Sequence, residues 1–170
     1  MRTGVALYRH AFEHEIHANH AMLRMLSSVP DLNRGDERFT RAVKIAAHMA
    51  ACRADFLRVF QGDGLSLAAP FEDGVTFESL ESRFNAMEVA WQDYLGEIDD
   101  TKVDGFFAFS DNGEKWKLSM EAQLFQLIGH AAYHRGQVVL LADSLGATTE
   151  DTDYIEWFTA NHPEGWGAVE

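Results

Sequence analysis

The last helical pattern of the chain, from Ser119 to Gly146, reads SMEAQLFQLIGHAAYHRGQVVLLADSLG and sets the architecture of the protein. Its apolar positions alternate between steps of four and three residues, which is the spacing of one face of an α-helix. Ser119 belongs to the residue types that cap helix N-termini, and Gly146 to those that end helices. The pattern predicts a long helix whose inward stripe consists of Met120, Leu124, Leu127, Ala131, His134, Val138, Leu141 and Leu145.

Three earlier stretches have the same spacing and predict three further helices. The first extends from about Gly4 to Ser28, and the second, after a turn at 30–36, ends near Gly62. The third follows Thr76, which we interpret as its N-cap, and reaches Ile98. Their apolar stripes are Phe12, Ile16, Leu23 and Leu26, with Asn19 as an interruption, then Phe39, Val43, Ala46, Ala50, Leu57 and Phe60, then Phe77, Leu80, Phe84, Met87, Trp91, Tyr94 and Ile98.

The remaining segments connect or cover these helices. Gly62–Val75 has no sustained period, so we interpret it as a long connection across one end of a bundle. Between 99 and 119 two aromatic runs flank Asn112-Gly113, a pair that favours a tight turn and predicts a β-hairpin. The aromatic segment 153–158 is expected to pack back on the bundle. The prediction is one all-α domain over 1–170, a four-helix bundle with a small β-hairpin before the last long helix.

Composition excludes several classes of function. The formal net charge of -13 repels phosphate backbones and anionic membranes, and we find no basic cluster to offset it, so we expect no nucleic-acid and no membrane partner. Cys52 is the only cysteine, which rules out an intrachain disulfide and cysteine-rich zinc modules and fits a reducing cytoplasm. The N-terminus reaches polar residues too early for a signal peptide, and no stretch has transmembrane length. We therefore expect a cytoplasmic protein.

Three histidines form the candidate metal site. His130 and His134 are four residues apart, so their imidazoles project side by side from the last helix. His48 is in line with Ile45, Cys52 and Val59 on the inward side of the second helix. Three imidazoles can hold a borderline metal and leave a fourth tetrahedral position open, as in catalytic sites. Spacing alone equally allows three core histidines, each donating to a backbone carbonyl.

Several other polar residues lie near the predicted site in sequence or on the same helices. His10, His14 and His17 lie along one helical row, which could be a second metal site but points roughly away from the apolar stripe, so we interpret them as surface histidines. Asn19 either bonds a backbone group in the core or reaches the metal pocket. Cys52 is placed outside the ligand set, as a small buried hydrophobe. Asp55 and Glu121 are interpreted as surface carboxylates, and the roles of Tyr133, Arg135 and Gln137 beside the clamp, the pair His130 and His134, stay open.

The stretch His130-Ala131-Ala132-Tyr133-His134-Arg135-Gly136-Gln137 resembles the signature of the DinB-like family of metal-binding bundles. That family is similar in having a histidine on its second helix, which Ala47-His48-Met49-Ala50-Ala51 matches. Its first helix commonly has a Trp-Ala-Asn step, which here reads His17-Ala18-Asn19, so histidine replaces the aromatic residue. The resemblance covers essentially the whole chain.

The resemblance implies a bundle whose helices run up, down, down and up, and a site in which His48, His130 and His134 hold zinc or nickel. It also implies a homodimer. Related families include S-transferases that use the low-molecular-weight thiols bacillithiol or mycothiol, so the leading hypothesis is a metal-dependent enzyme, a thiol-dependent S-transferase or a hydrolase, acting on a small molecule. The alternative is a non-catalytic metal-binding or stress-response bundle, because a fold alone does not establish a reaction.

Overall fold

A computed structural model of the protein describes residues 4–63, 71–111 and 113–167. Its long helices are α1 (Val5–Ser28), α2 (Glu37–Phe60), α3 (Leu80–Glu97) and α5 (Met120–Asp143). A short helix α4 (Asp100–Val103) and the strands β1 (Phe106–Asp111) and β2 (Glu114–Ser119) precede α5, and α6 (Tyr154–Asn161) follows it. The predicted four-helix bundle with a small hairpin before the last long helix is confirmed. Within the described residues, no helix is both long and apolar enough to cross a lipid bilayer.

Hydrogen bonds between helices give their relative directions. α1 and α5 run parallel, because Tyr8 donates to the carbonyl of Glu121 near the start of both helices. Further along the same pair, Arg135 donates to Asn19. The predicted order of up, down, down and up requires this parallel pair.

The second parallel pair is α2 and α3. Trp91 donates from Nε1 to the carbonyl of Arg53, and one to two turns later Tyr94 packs on Phe60. Two parallel helices that follow each other in the chain need a long connection between their ends. The predicted connection Gly62–Val75 fills that role, although its residues 64–70 lie outside the described part of the chain. The up, down, down, up arrangement is therefore confirmed.

Trp91 lies at the centre of the core and is fully buried. Its ring contacts those of Phe12, Phe60 and Tyr94, with centroids 5.8–6.0 Å away. Burying one large apolar side chain contributes about 1.5–3 kcal/mol, so the stripes from several helices together stabilise the bundle. The other large side chains with less than 2 % exposure include Phe84, Met22, Met25, Leu26, Leu80, Met120 and Leu127.

The predicted helix ends are correct for α5 and wrong for α3. Ser119 accepts from the backbone N–H of Ala122, as an N-cap does, and Gly146 follows α5 with a φ of 83°, which favours glycine. Thr76 does not cap α3, because a 3₁₀ turn over Phe77–Ser79 precedes it and the Thr76 side chain makes no capping bond. Local spacing does not distinguish a 3₁₀ turn from the first turn of an α-helix.

The hairpin pairs antiparallel, from Phe106 opposite Ser119 to Asp111 opposite Glu114. Asn112, half of the predicted Asn-Gly turn, lies outside the described residues. Phe107 is buried and packs edge-on against Phe60, with ring centroids 4.8 Å apart. This contact attaches the hairpin to α2 and holds the start of α5, which follows β2 directly.

Candidate metal centre

His48, His130 and His134 meet between α2 and α5. One nitrogen from each ring lies within 4.8 Å of a nitrogen of the other two, and Nε2 of His48 is 3.2 Å from Nε2 of His130. Two nitrogens bound at about 2.1 Å to one tetrahedral ion lie about 3.4 Å apart, so the spacing suits a shared ion. The ring centroids are 4.4–5.1 Å apart and the rings are steeply inclined to one another.

The surroundings of His130 favour a neutral imidazole. All three side chains are half-buried. Burial first, and then the neighbouring His134 and His48, lower the pKa of His130 to about 4. A neutral imidazole has an unprotonated nitrogen with a free lone pair, which is the form that binds metals. The donor set therefore fits a borderline divalent ion such as zinc or nickel.

Gln137 orients one ring of the group. It lies on α5 one turn after His134, and its Oε1 accepts from Nδ1 of His134 at 2.8 Å. A donor at Nδ1 leaves Nε2 unprotonated, so the amide selects the tautomer that can bind an ion. Phe71, half exposed, packs on the ring of His48 with centroids 4.8 Å apart. The orienting role of Gln137 was one that the sequence had left open.

We expect replacement of Gln137 with leucine to weaken zinc binding about 10–100-fold, because the His134 ring loses the acceptor that sets its tautomer. Gln137→Glu keeps an acceptor in place and should retain the affinity. The matched control is Gln126→Leu, the same change at an exposed position of α5. Isothermal titration with zinc compares the three variants, and equal affinities for Gln137→Leu and Gln126→Leu would refute the role.

Cys52, Asp55 and Glu121 do not join the three histidines. Cys52 is half-buried and does not belong to the group of candidate ligands, and burial raises its pKa to about 11. A thiol with a raised pKa is a poor ligand and a poor nucleophile at neutral pH. Asp55 forms an ion pair with Arg58, and Glu121 is exposed. Among the described residues, this candidate site consists of the three histidines alone.

A buried polar network lies beside the site and joins α1, α3 and α5. Arg135, next to His134, donates from a guanidinium nitrogen to Oδ1 of Asn19 at 2.9 Å. Asn19 in turn donates to Glu88 on α3, which also lies 2.8 Å from Nε2 of His20. Asn19 thus forms hydrogen bonds with two side chains. The two interpretations from sequence were a bond to a backbone group in the core or a position in the metal pocket. Burial raises the pKa of Glu88, while its bonds to His20 and Asn19 oppose that shift.

A separate buried ion pair joins α1 to α2. Arg53 on α2 donates from Nε to Oε1 of Glu15 on α1 at 2.9 Å, and its other nitrogen contacts Oε2. Its guanidinium also lies over the rings of Trp91 and Phe12, at 4.8 and 5.4 Å. Glu15, Arg53 and Glu88 were missed by the sequence reading because charged residues are read as surface residues. The available signal was their helical spacing from buried neighbours, such as Leu57 four residues after Arg53.

The row His10, His14 and His17 does not form one cluster. His17 is exposed as predicted, and Nε2 of His14 lies 3.1 Å from the carbonyl of Thr152. The surface interpretation of His10 is wrong, since only 5 % of it is exposed. Helix α6 covers it, and Nε2 of His10 lies 2.7 Å from the hydroxyl of Tyr154. The prediction that the aromatic tail packs on the bundle is confirmed by the same contacts.

A family model described as "DinB family" matches residues 5–164. This range contains the three histidines, the helices that bring them together and the helix that covers α1. No curated protein and no solved structure matches the chain.

Proposed function

The chain belongs to the DinB family, and from this membership we propose that it binds one divalent transition metal ion, zinc or nickel, through His48, His130 and His134. The observation that carries the proposal is the convergence of three half-buried imidazoles from two helices, with two of their Nε2 atoms 3.2 Å apart. Three ring nitrogens that lie within 4.8 Å of one another can coordinate a single ion together.

Each side chain of the site would have a distinct role in binding the ion. His48, His130 and His134 would hold the ion, and Gln137 would keep the His134 ring in the binding tautomer through its 2.8 Å contact. Three protein ligands leave a tetrahedral ion with one open position. When bound, such an ion supplies a Lewis-acidic position that lowers the pKa of a water or thiol placed there.

We further propose that the protein is a metal-dependent enzyme that acts on a small molecule, either a thiol-dependent S-transferase or a hydrolase. In the first case a low-molecular-weight thiol is the co-substrate, and in the second it is water. Cys52 would not serve as the nucleophile, because burial raises its pKa to about 11. We also propose, from family membership, that the protein forms a homodimer.

The test is elemental analysis of protein purified without nickel affinity, in the wild type and in His134→Ala. We expect the variant to lose the ion of this site, because two remaining imidazoles bind far more weakly than three. His17→Ala, which removes an exposed histidine from α1, is the matched control and should keep the wild-type content. Equal metal content in His134→Ala and the wild type would reject the site.

Turnover separates the enzyme from a metal-binding protein without a reaction. The metal-loaded wild type is incubated with bacillithiol or mycothiol and an electrophilic acceptor, and separately with ester and amide substrates. If the protein is an enzyme, we expect the wild type to form product and His134→Ala to form none. Metal that binds fully while no substrate turns over would favour the alternative, a stress-response or metal-binding bundle.

A further inference from the structure

A second cluster of metal-ligand side chains lies where the end of α6 meets α1. It consists of His10 and Glu13 on α1 and His162 at the C-terminal end of α6, and one ligand atom from each lies within 4.8 Å of the other two. We propose that these three residues form a second divalent metal site, which fastens the C-terminal segment to the bundle. The site is separate from His48, His130 and His134 and does not depend on the function proposed for them.

His10 is built into this position. Its ring is 5 % exposed and is surrounded by the side chains of α6, with ring centroids 5.3 Å from Trp157 and 5.7 Å from Tyr154. Nε2 of His10 lies 2.7 Å from the Tyr154 hydroxyl, while Nδ1 faces the carboxylate of Glu13 at 3.5 Å. A hydrogen bond at one imidazole nitrogen orients the other toward an ion, as is usual for histidine ligands.

The end of α6 positions His162. Its backbone N–H donates to the carbonyl of Phe158 at 2.8 Å, and its ring stacks on the Phe158 ring with centroids 5.1 Å apart. The centroids of His162 and His10 are also 5.1 Å apart, equal to the spacing of His48 and His130 in the first cluster. The two imidazoles thus come from segments that only the packing of α6 brings together.

Charge and access also favour a cation here. Glu13 is 59 % exposed at its side chain, so an ion can reach the site from solvent, and Glu164 lies 3.4 Å from Nδ1 of His162. Two carboxylates beside two imidazoles offset the charge of a divalent ion, and the whole chain has a net charge of -13. Two imidazoles and one carboxylate are a ligand set that zinc uses, with an open position for water.

The experiment is a zinc titration of chelator-treated full-length protein, with stoichiometry read by native mass spectrometry and calorimetry. We expect two zinc ions per chain for the wild type, one for His162→Ala, one for His134→Ala and none for the double variant. His17→Ala removes an exposed histidine outside both clusters and should keep two ions. One ion in the wild type that remains in His162→Ala, two ions in His162→Ala, or one ion in His17→Ala would each overturn the second site.

A second variant keeps the test decisive if His162→Ala disturbs the fold, which circular dichroism without zinc detects. Glu13→Gln changes an exposed side chain. It should lower the affinity for the second zinc ion at least tenfold and leave the affinity for the first unchanged. Limited proteolysis adds a structural readout, because zinc should slow cleavage after α5 in the wild type and not in Glu13→Gln. Unchanged affinity and equal cleavage rates in both proteins would refute the site. Loss of the first ion in His134→Ala, with the second retained, separates the two proposals.

Discussion

Replacing Arg53 with methionine is expected to lower the free energy of unfolding by about 3–5 kcal/mol, because the change leaves the Glu15 carboxylate buried without its partner. The side chains of Arg53 and Glu15 are 6 % and 5 % exposed, so water cannot compensate. The stacking of the guanidinium on Trp91, at 4.8 Å, is lost as well. Urea denaturation followed by circular dichroism measures the effect.

Two controls show whether the ion pair is responsible. Arg24 pairs with Glu150 on the surface, and Arg24→Ala should cost less than about 1 kcal/mol because exposed pairs are screened. The double variant Glu15→Met with Arg53→Met removes both charges and should recover much of the stability lost in Arg53→Met. A cost for Arg53→Met as small as that of Arg24→Ala would show that the pair does not matter for stability.

Zinc is expected to raise the free energy of unfolding by about 4 kcal/mol when its free concentration is 1,000 times the dissociation constant, provided that it binds the folded chain alone. His48, His130 and His134 lie on helices that are far apart in sequence, so unfolding separates them and releases the ion. His130→Ala should lose the part of this gain that the three histidines supply. Thermal and urea unfolding with zinc and with a chelator measure it.

The controls assign the gain to the three histidines. The comparison is repeated in His162→Ala, where the second site cannot contribute, and the gain there should still depend on His130. His17→Ala should behave as the parent protein does, because its side chain is exposed and outside the group. An equal gain with and without His130 would mean that zinc stabilises the fold at some other place.

Spacing along the chain was sufficient for the long helices and for two of the three histidines of the candidate site. His130 and His134 are four residues apart on one helix, so their neighbourhood follows from helical geometry alone. The prediction that His48 lies on the inward side of α2 came from its row with Ile45, Cys52 and Val59. Of these, Ile45 and Val59 are buried and Cys52 is half-buried. A motif on one helix predicts how its own side chains are spaced. For a residue on another helix, the sequence predicts only which side of that helix it lies on.

Burial of charged and polar residues could not be predicted in this way. Glu15 and Arg53 are separated by 38 residues in the chain, and each alone is more stable in water than in a core. His10 was assigned to the surface because its cover, Tyr154, is 144 residues away. Local periodicity expresses only the preference of each residue for water or for an apolar interior.

Residues close together in the sequence determine the helices, the hairpin, the clamp of His130 and His134, and the class of protein. This is because backbone hydrogen bonding and side-chain spacing act over a few residues. Packing established which side chains meet across helices: His48 with the clamp, Arg135 with Asn19, and His10 with His162. These contacts arise because a buried polar group is stable only beside a partner, and that partner comes from whichever helix the folded bundle places there.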